Sequence, residues 1–237
     1  MGLLILAFET SAKAGSVALM EQGFLLGESY TNTGLTHSQT VMTMAEDLLK
    51  SCGKAPADVD AVAVAAGPGS FTGVRIGVAA AKGFAWGADL PCYGVSTLEA
   101  MALGLGAYDG YVLPVMDARR EQVYTALFSV TEGKLQRLTE DRAISLKELA
   151  EEIKNLAKPI FLVGDGSTLC YNTLSTDAPG LILPPEHRLH QRAAGVALAA
   201  QQKIASGQTG DGAALTPNYL RLSQAERERL AKKEKEI

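Results

Sequence analysis

With 237 residues, a net charge of -4 and 47% hydrophobic residues, the chain is long enough to bury a sizeable core, and two domains of about a hundred residues each are the expected division. Its acidic balance, with an isoelectric point near 5.5, argues against a free-standing nucleic-acid binder, because neutralising phosphates takes a clustered lysine and arginine surface; RNA contact is expected only alongside a partner. Cys52, Cys92 and Cys170 are scattered, odd in number and without a C-x-x-C pair, which reads as buried thiols in a reducing cytoplasm.

Residues 3–9 read as a buried strand rather than a leader peptide, since no basic stretch or cleavage site accompanies them. Residues 15–20 and 24–30 follow as second and third strands, with Glu21-Gln22-Gly23 as the tight turn between them. Val41, Ala45, Leu48 and Leu49 recur at helical spacing and predict a helix over 37–50, stopped by Gly53. Residues 60–66 form a continuous small-apolar strand, buried on both faces and therefore parallel to the first.

That strand leaves through Gly67-Pro68-Gly69 into a small-residue helix over 72–86, capped by Ser70 or Thr72. Gly73, Gly77, Ala80 and Ala81 lie along one side of it, which suits either an anion-cradling loop or a smooth face packed close against another helix, in this chain or another. The glycine spacing misses the dinucleotide fingerprint by one position and no Gly-Lys-Ser/Thr follows, so the packing reading is the stronger. Each helical glycine costs about 1 kcal/mol relative to alanine, so Gly73, Gly77, Gly83 and Gly87 together call for a close approach that returns the loss. Arg75 either reaches outward to a carboxylate or phosphate or lies along the surface. Arg75 and Lys82 also interrupt the longest apolar region, so nothing is expected to span a membrane.

Residues 91–95 make a fifth strand, and Ser96-Thr97-Leu98-Glu99 is a capping box that opens a third helix. The pattern then restarts: strands over 111–117, 122–130 and 134–140 form another meander, with Glu132-Gly133 at its turn. Aligning residues 5–9 with 113–117 ends the first strand of each half on an acid, Glu9 and Asp117, a repeat of domain size. Ser145-Leu146-Lys147-Glu148 opens a helix to about 156, and residues 160–163 are the next strand. Gly164-Asp165-Gly166-Ser167 repeats the strand, glycine turn, helix logic; a short apolar passage over 179–185 and an alanine-rich helix over 191–205 follow. After a loop at 207–212, residues 217–222 are extended and a charged, solvated helix closes the chain. The expected division is 1–106, 107–215 and a terminal 216–237 that packs back on the first domain. Strands joined through helices in both halves predict an α/β fold with the ligand cleft between them.

Candidate chemistry is sparse. Glu9 and Asp117 stand where phosphotransferases of duplicated architecture place an aspartate for metal and phosphate, but Glu9-Thr10-Ser11 and Asp117-Ala118-Arg119 lack the Gly-Thr turn of such sites. The residues leave two roles open, remnants of such a site or braces for the loops that follow. His37 has Val41 where a metal pair would need a second histidine, and His187 and His190 have no cysteine or paired carboxylates nearby, so no metal site is expected. No Ser/His/Asp or Cys/His set is found.

Residues 5–11, His37-Ser38-Gln39, the run Gly67-Pro68-Gly69-Ser70-Phe71-Thr72-Gly73-Val74-Arg75-Ile76-Gly77, residues 94–98, Asp117-Ala118-Arg119 and Tyr219-Leu220-Arg221 carry a resemblance to the bacterial TsaB family, also called YeaZ, over nearly the whole chain. The resemblance implies two tandem RNase H-like βββαβα halves of the actin, sugar-kinase and Hsp70 type. It also implies a cytoplasmic role in making threonylcarbamoyladenosine next to the anticodon of ANN-reading tRNAs. The member of such a complex that this chain resembles is a non-catalytic subunit pairing with TsaD, the metal-bearing transferase, with the ATPase TsaE joining the pair and tRNA bound only by the assembly. Alone, it is expected to form a homodimer. The implied pairing surface is the first two helices, through His37, Val41, Met44, Ala45, Gly73, Arg75, Ile76, Gly77, Ala80 and Ala81. Glu9, Ser11, Asp117 and Arg119 become vestigial or shared nucleotide and phosphate contacts, with no cofactor in the isolated chain and ATP or ADP at the shared surface. The competing expectation is a small-molecule kinase or ATPase of the same fold, working from Glu9 or Asp117.

Overall fold

The computed structural model describes residues 2–106 and 108–221; the closing charged helix expected from the sequence lies outside the described residues. The first half is a five-stranded sheet in the order β3-β2-β1-β4-β5, from β1 (Leu4–Glu9), β2 (Gly15–Glu21), β3 (Phe24–Thr31), β4 (Ala61–Ala65) and β5 (Cys92–Val95). The first three pair antiparallel, and β4 and β5 run parallel to β1, as their uninterrupted apolar runs require.

Alternation along β1 assigns its two faces. Leu4, Leu6 and Phe8 join the core beneath α1 (His37–Ser51) and α2 (Phe71–Gly87), while Ile5 and Ala7 join the core on the opposite face. That opposite face is lined by Ala18, Ala61, Ala63 and Ala65 and receives the alanines of α6 (Ala193–Ala205), so two surfaces of small side chains meet closely. Although α6 follows the strands of the second half, it covers the first sheet. Gly195 of α6 allows the crossing: a Cβ there would overlap the carbonyl oxygen of Ala100 in α3 (Thr97–Leu105).

The second sheet runs β10-β7-β6-β11-β12, with β8 and β9 added beside β6. Its members are β6 (Gly110–Asp117), β7 (Gln122–Thr125), β8 (Phe128–Thr131), β9 (Lys134–Arg137), β10 (Arg142–Ser145), β11 (Ile160–Val163) and β12 (Leu181–Ile182). The strand expected over 122–130 is divided into β7 and β8. Both keep one register against β6, Val115 opposite Thr125 and Val112 opposite Phe128, and the pairing lapses where Pro114 has no N–H to give. The Thr125 hydroxyl donates to the Pro114 carbonyl instead (2.8 Å). The strand expected over 134–140 ends sooner, at Arg137: the Leu127 carbonyl accepts from Leu138 and Thr139, and the chain then re-enters the sheet as β10, a strand the sequence did not predict.

Helices α4 (Leu146–Ile153) and α5 (Ser167–Leu174) cover one face of this sheet and α3 the other. Ser145 and Glu148 form the predicted capping box of α4, which ends sooner than expected, at Ile153. The passage between prolines supplies the short parallel strand β12. All three cysteines are free, with Cys92 and Cys170 buried and Cys52 half-buried. Among the described residues no helix is long and apolar enough to cross a membrane.

Candidate functional site: the cleft between the halves and the outer side of α2

The repeat brings the C-terminal ends of β1 and β6 to one cleft of about 550 Å³ between the two halves. Its walls come from the β1–β2 turn, the turn entering α2, the β6–β7 hairpin, the β11–α5 turn and the segment 218–221. Of the residues expected to contact nucleotide, Ser11, Asp117 and Arg119 line it, and Lys13, Asp165 and Arg221 line it as well.

Glu9 is not presented to the cleft. It is fully buried, one carboxylate oxygen accepts from the Ser11 N–H (2.6 Å), and the other has no hydrogen-bond partner among the described residues. Burial pushes its pKa up to about 7, against the lowering effect of the Ser11 N–H hydrogen bond, and the nearby Asp165 carboxyl also raises it. Asp117, its counterpart in the repeat, is exposed and accepts from the Arg119 N–H (2.7 Å). Both acids therefore hold the backbone two residues further on, which is the brace geometry. Beyond Asp117, Arg119, Arg120 and Glu121 are all left-handed, with φ of 61°, 56° and 56°.

Asp165 is a cleft residue that sequence reasoning missed, although its Gly164-Asp165-Gly166 turn occupies in the second half the place of Gly67-Pro68-Gly69. Burial raises its pKa, and the Gln191 side-chain amide donates to it (2.7 Å). The hydroxyls of Ser11, Thr97 and Ser167 and the carbonyl oxygen of Gln191 are buried without partners among the described residues.

Ser70 caps α2 by accepting from the Gly73 N–H (3.2 Å), and its own N–H donates to the Ser11 carbonyl (2.6 Å). The first turn of α2 therefore spends donors on this chain that an anion cradle would need free. The close approach predicted for Gly73 and Gly77 is made inside the chain: a Cβ at either position would overlap Thr10, whose hydroxyl donates to the Gly73 carbonyl (2.8 Å). Of the residues expected to form the pairing surface, Gly73, Gly77 and Ala81, and Val41, Met44 and Ala45 on α1, are buried in their own domain and present little side chain outward. His37 is committed as well, its ring bonded to the Ala12 carbonyl oxygen (2.8 Å) and packed on Gly15.

The two helices present a different set outward. Arg75 is exposed, Ile76 and Ala80 are half-buried, and Ala79 and Gly83 continue the outer side of α2 towards Trp86, which is 90% exposed. A Cβ at Gly83 or Gly87 would meet nothing within 4 Å among the described residues. Lys82, Gly83, Trp86, Asp89, Leu90 and Ala213 border a groove of about 370 Å³ at this end of the helix. Arg75 lies against the Phe71 ring, 3.8 Å from its centroid, and donates through Nε to the Tyr219 hydroxyl (2.7 Å). Among the described residues no three of His, Cys, Asp and Glu assemble into a metal-holding group.

Residues 31–229 match the family described as TsaD: tRNA N6-adenosine threonylcarbamoyltransferase. The chain is 34% identical over 226 residues to the tRNA threonylcarbamoyladenosine biosynthesis protein TsaB of Bacillus subtilis (strain 168), covering 94% of this chain and 96% of that one. Among solved structures it is similar to YeaZ from Pseudomonas aeruginosa, with a TM-score of 0.72 and 27% identity over 92% of this chain and all of that one (100%). Component A of the (R)-2-hydroxyglutaryl-CoA dehydratase of Acidaminococcus fermentans, 13% identical with a TM-score of 0.51 over 86% and 99% of the two chains, shares the fold alone. That fold is the tandem α/β architecture of the actin, sugar-kinase and Hsp70 type.

Proposed function

For a chain that belongs to the TsaB family of tRNA threonylcarbamoyladenosine biosynthesis proteins, we propose a place in that biosynthesis as the non-catalytic pairing subunit of the transferase complex, docked on TsaD with TsaE joining the pair. The observation that carries the pairing is the outer side of α2. Gly83 and Gly87 each cost the helix about 1 kcal/mol relative to alanine, and among the described residues no atom comes near enough to need them. With Ala79 and Ala80 they leave a smooth track beside an exposed tryptophan, the residue type that most often anchors an interface. The same track serves a homodimer when the chain is alone.

Catalysis is assigned to the partner because the two acids of the repeat are braces. Glu9 is buried and drawn towards its neutral form, whereas an acid that organises metal and phosphate must stand ionised in the cleft. Ser11, Asp117 and Arg119 then meet ATP or ADP only at a surface completed by the partner, and tRNA is held by the assembled complex in the cytoplasm.

Co-expression with TsaD and size-exclusion chromatography test the reading. A stoichiometric complex that Gly83→Leu and Trp86→Asp abolish, from folded variants, is the expected result. The absence of any complex with the unaltered chain overturns it, and micromolar affinity of the isolated chain for ATP·Mg in calorimetry would favour an independent kinase or ATPase instead.

A further inference from the structure

We infer that Arg75 latches the segment 217–221 in place as one wall of the cleft, so that access to the cleft depends on what engages the outer side of α2. This goes beyond the pairing proposal and does not require it. The segment passes from α2 to the second half along a series of specific attachments. Lys82 Nζ donates to the carbonyls of Ala213 and Leu215 (3.3 and 3.1 Å), and the Asn218 N–H donates to the Ala66 carbonyl at the end of β4 (2.6 Å). Tyr219 stacks on Phe71 at 4.4 Å between centroids. Arg221 donates to the Ala118 carbonyl of the β6–β7 hairpin (2.7 Å), which spans the cleft from one half to the other.

Arg75 is the attachment that can be competed for from outside. It is exposed, its partners here are a neutral phenol and two aromatic faces, and neither Nη group has a hydrogen-bond partner among the described residues. A guanidinium binds a carboxylate through its bidentate edge more strongly than it binds a phenol. An acidic group arriving on the outer side of α2 therefore draws Arg75 from Tyr219, and by linkage whatever loosens the segment shifts binding on that outer side.

The test uses the full chain by itself. Amide exchange at Asn218 reads the segment, and peroxide oxidation of Met116, which is 2% exposed and lines the cleft, reads access. Met20, buried on the other side of the first sheet, is the control. Arg75→Gln and Tyr219→Phe should each speed Asn218 exchange about tenfold, the double variant should be no faster than either, and Met116 oxidation should rise several-fold with Met20 unchanged. Unchanged Asn218 exchange, additive effects, or faster Asn218 exchange without faster Met116 oxidation would each overturn the inference. If Met20 also oxidises faster, Arg75→Lys, which keeps the charge but loses the stacked plane, must raise Met116 oxidation alone for the latch to stand.

Discussion

Thr10 and Gly77 touch so closely that a Cβ on residue 77 would overlap the Thr10 hydroxyl, which itself donates to the Gly73 carbonyl one turn earlier. This places the end of β1 against α2 at a distance only glycine permits. Gly77→Ala should therefore destabilise the protein by about 1–3 kcal/mol, with Gly77→Leu failing to fold. Gly83→Ala and Gly87→Ala, on the same helix but facing open space, should stabilise it by up to about 1 kcal/mol each. Urea denaturation of the purified alanine variants separates position 77 from positions 83 and 87, and equal effects at positions 77 and 83 would contradict the assignment of inner and outer sides.

The outer side makes a spectroscopic prediction. Trp86 is the sole tryptophan and is exposed, so its emission should move to shorter wavelength when a partner covers it and stay put when the partner docks elsewhere. A titration with TsaD, or dilution of a self-associated sample, reads this directly. Gly83→Leu should abolish the shift without lowering the melting temperature.

The helix carrying these positions shows how far the sequence alone could be read. The excess of glycine in α2 announced close packing, and the strand, turn and helix order of the first half followed from apolar runs and capping boxes, whereas β10 and β12 of the second half were not predicted. Which glycines turn inward was not legible, because that depends on where Thr10 lies across the sheet, 63 residues away along the chain from Gly73. The brace role of Glu9 and Asp117 was visible as one of two options, since each is followed by residues too bulky for a phosphate loop. Asp165 was missed as a cleft residue, although its flanking glycines repeated the signal of the first half. The broken strands β7 and β8 were missed because their break is set by Pro114 on the neighbouring strand.

Thiol chemistry should be selective. Burial pushes Cys92 up to about 11 and Cys170 up to about 12, so near neutral pH neither offers a thiolate, while Cys52 is half-buried. Iodoacetamide applied to the native chain at pH 8 should label Cys52 alone, with all three cysteines labelled after unfolding. Mass spectrometry of the peptides decides, and native labelling of Cys170 would contradict the packing of α5.

Three consecutive left-handed residues at the β6–β7 hairpin, Arg119, Arg120 and Glu121, are conformations that L side chains tolerate at a cost of about 1–2 kcal/mol each. Arg120 does not line the cleft, so its backbone can be relieved without removing a cleft cation. Arg120→Gly should raise stability by about 0.5–1 kcal/mol, the relief being partly offset by the greater freedom of glycine in the unfolded chain. The same substitution at the exposed Arg188, which has no left-handed backbone, should not stabilise. A loss of stability at both positions would show that the hairpin carries no strain.

Glu9 ties stability to pH. Its folded pKa of about 7 lies above its ordinary value of 4.5, so the folded state holds the proton more tightly than the unfolded state does. The resulting stabilisation is complete below about pH 4.5 and is lost as pH rises through about 7; the gap between the two values corresponds to about 3 kcal/mol. Glu9→Gln keeps the acceptor for the Ser11 N–H and removes the ionisation, so it should flatten the dependence between pH 5 and 8 and be the more stable protein at pH 8. Melting temperatures of both proteins across that range check the sign. If the unaltered protein instead gains stability from pH 5 to 8 relative to Glu9→Gln, the carboxylate is being held ionised, and the argument that Glu9 is a brace rather than a metal-organising acid falls with it.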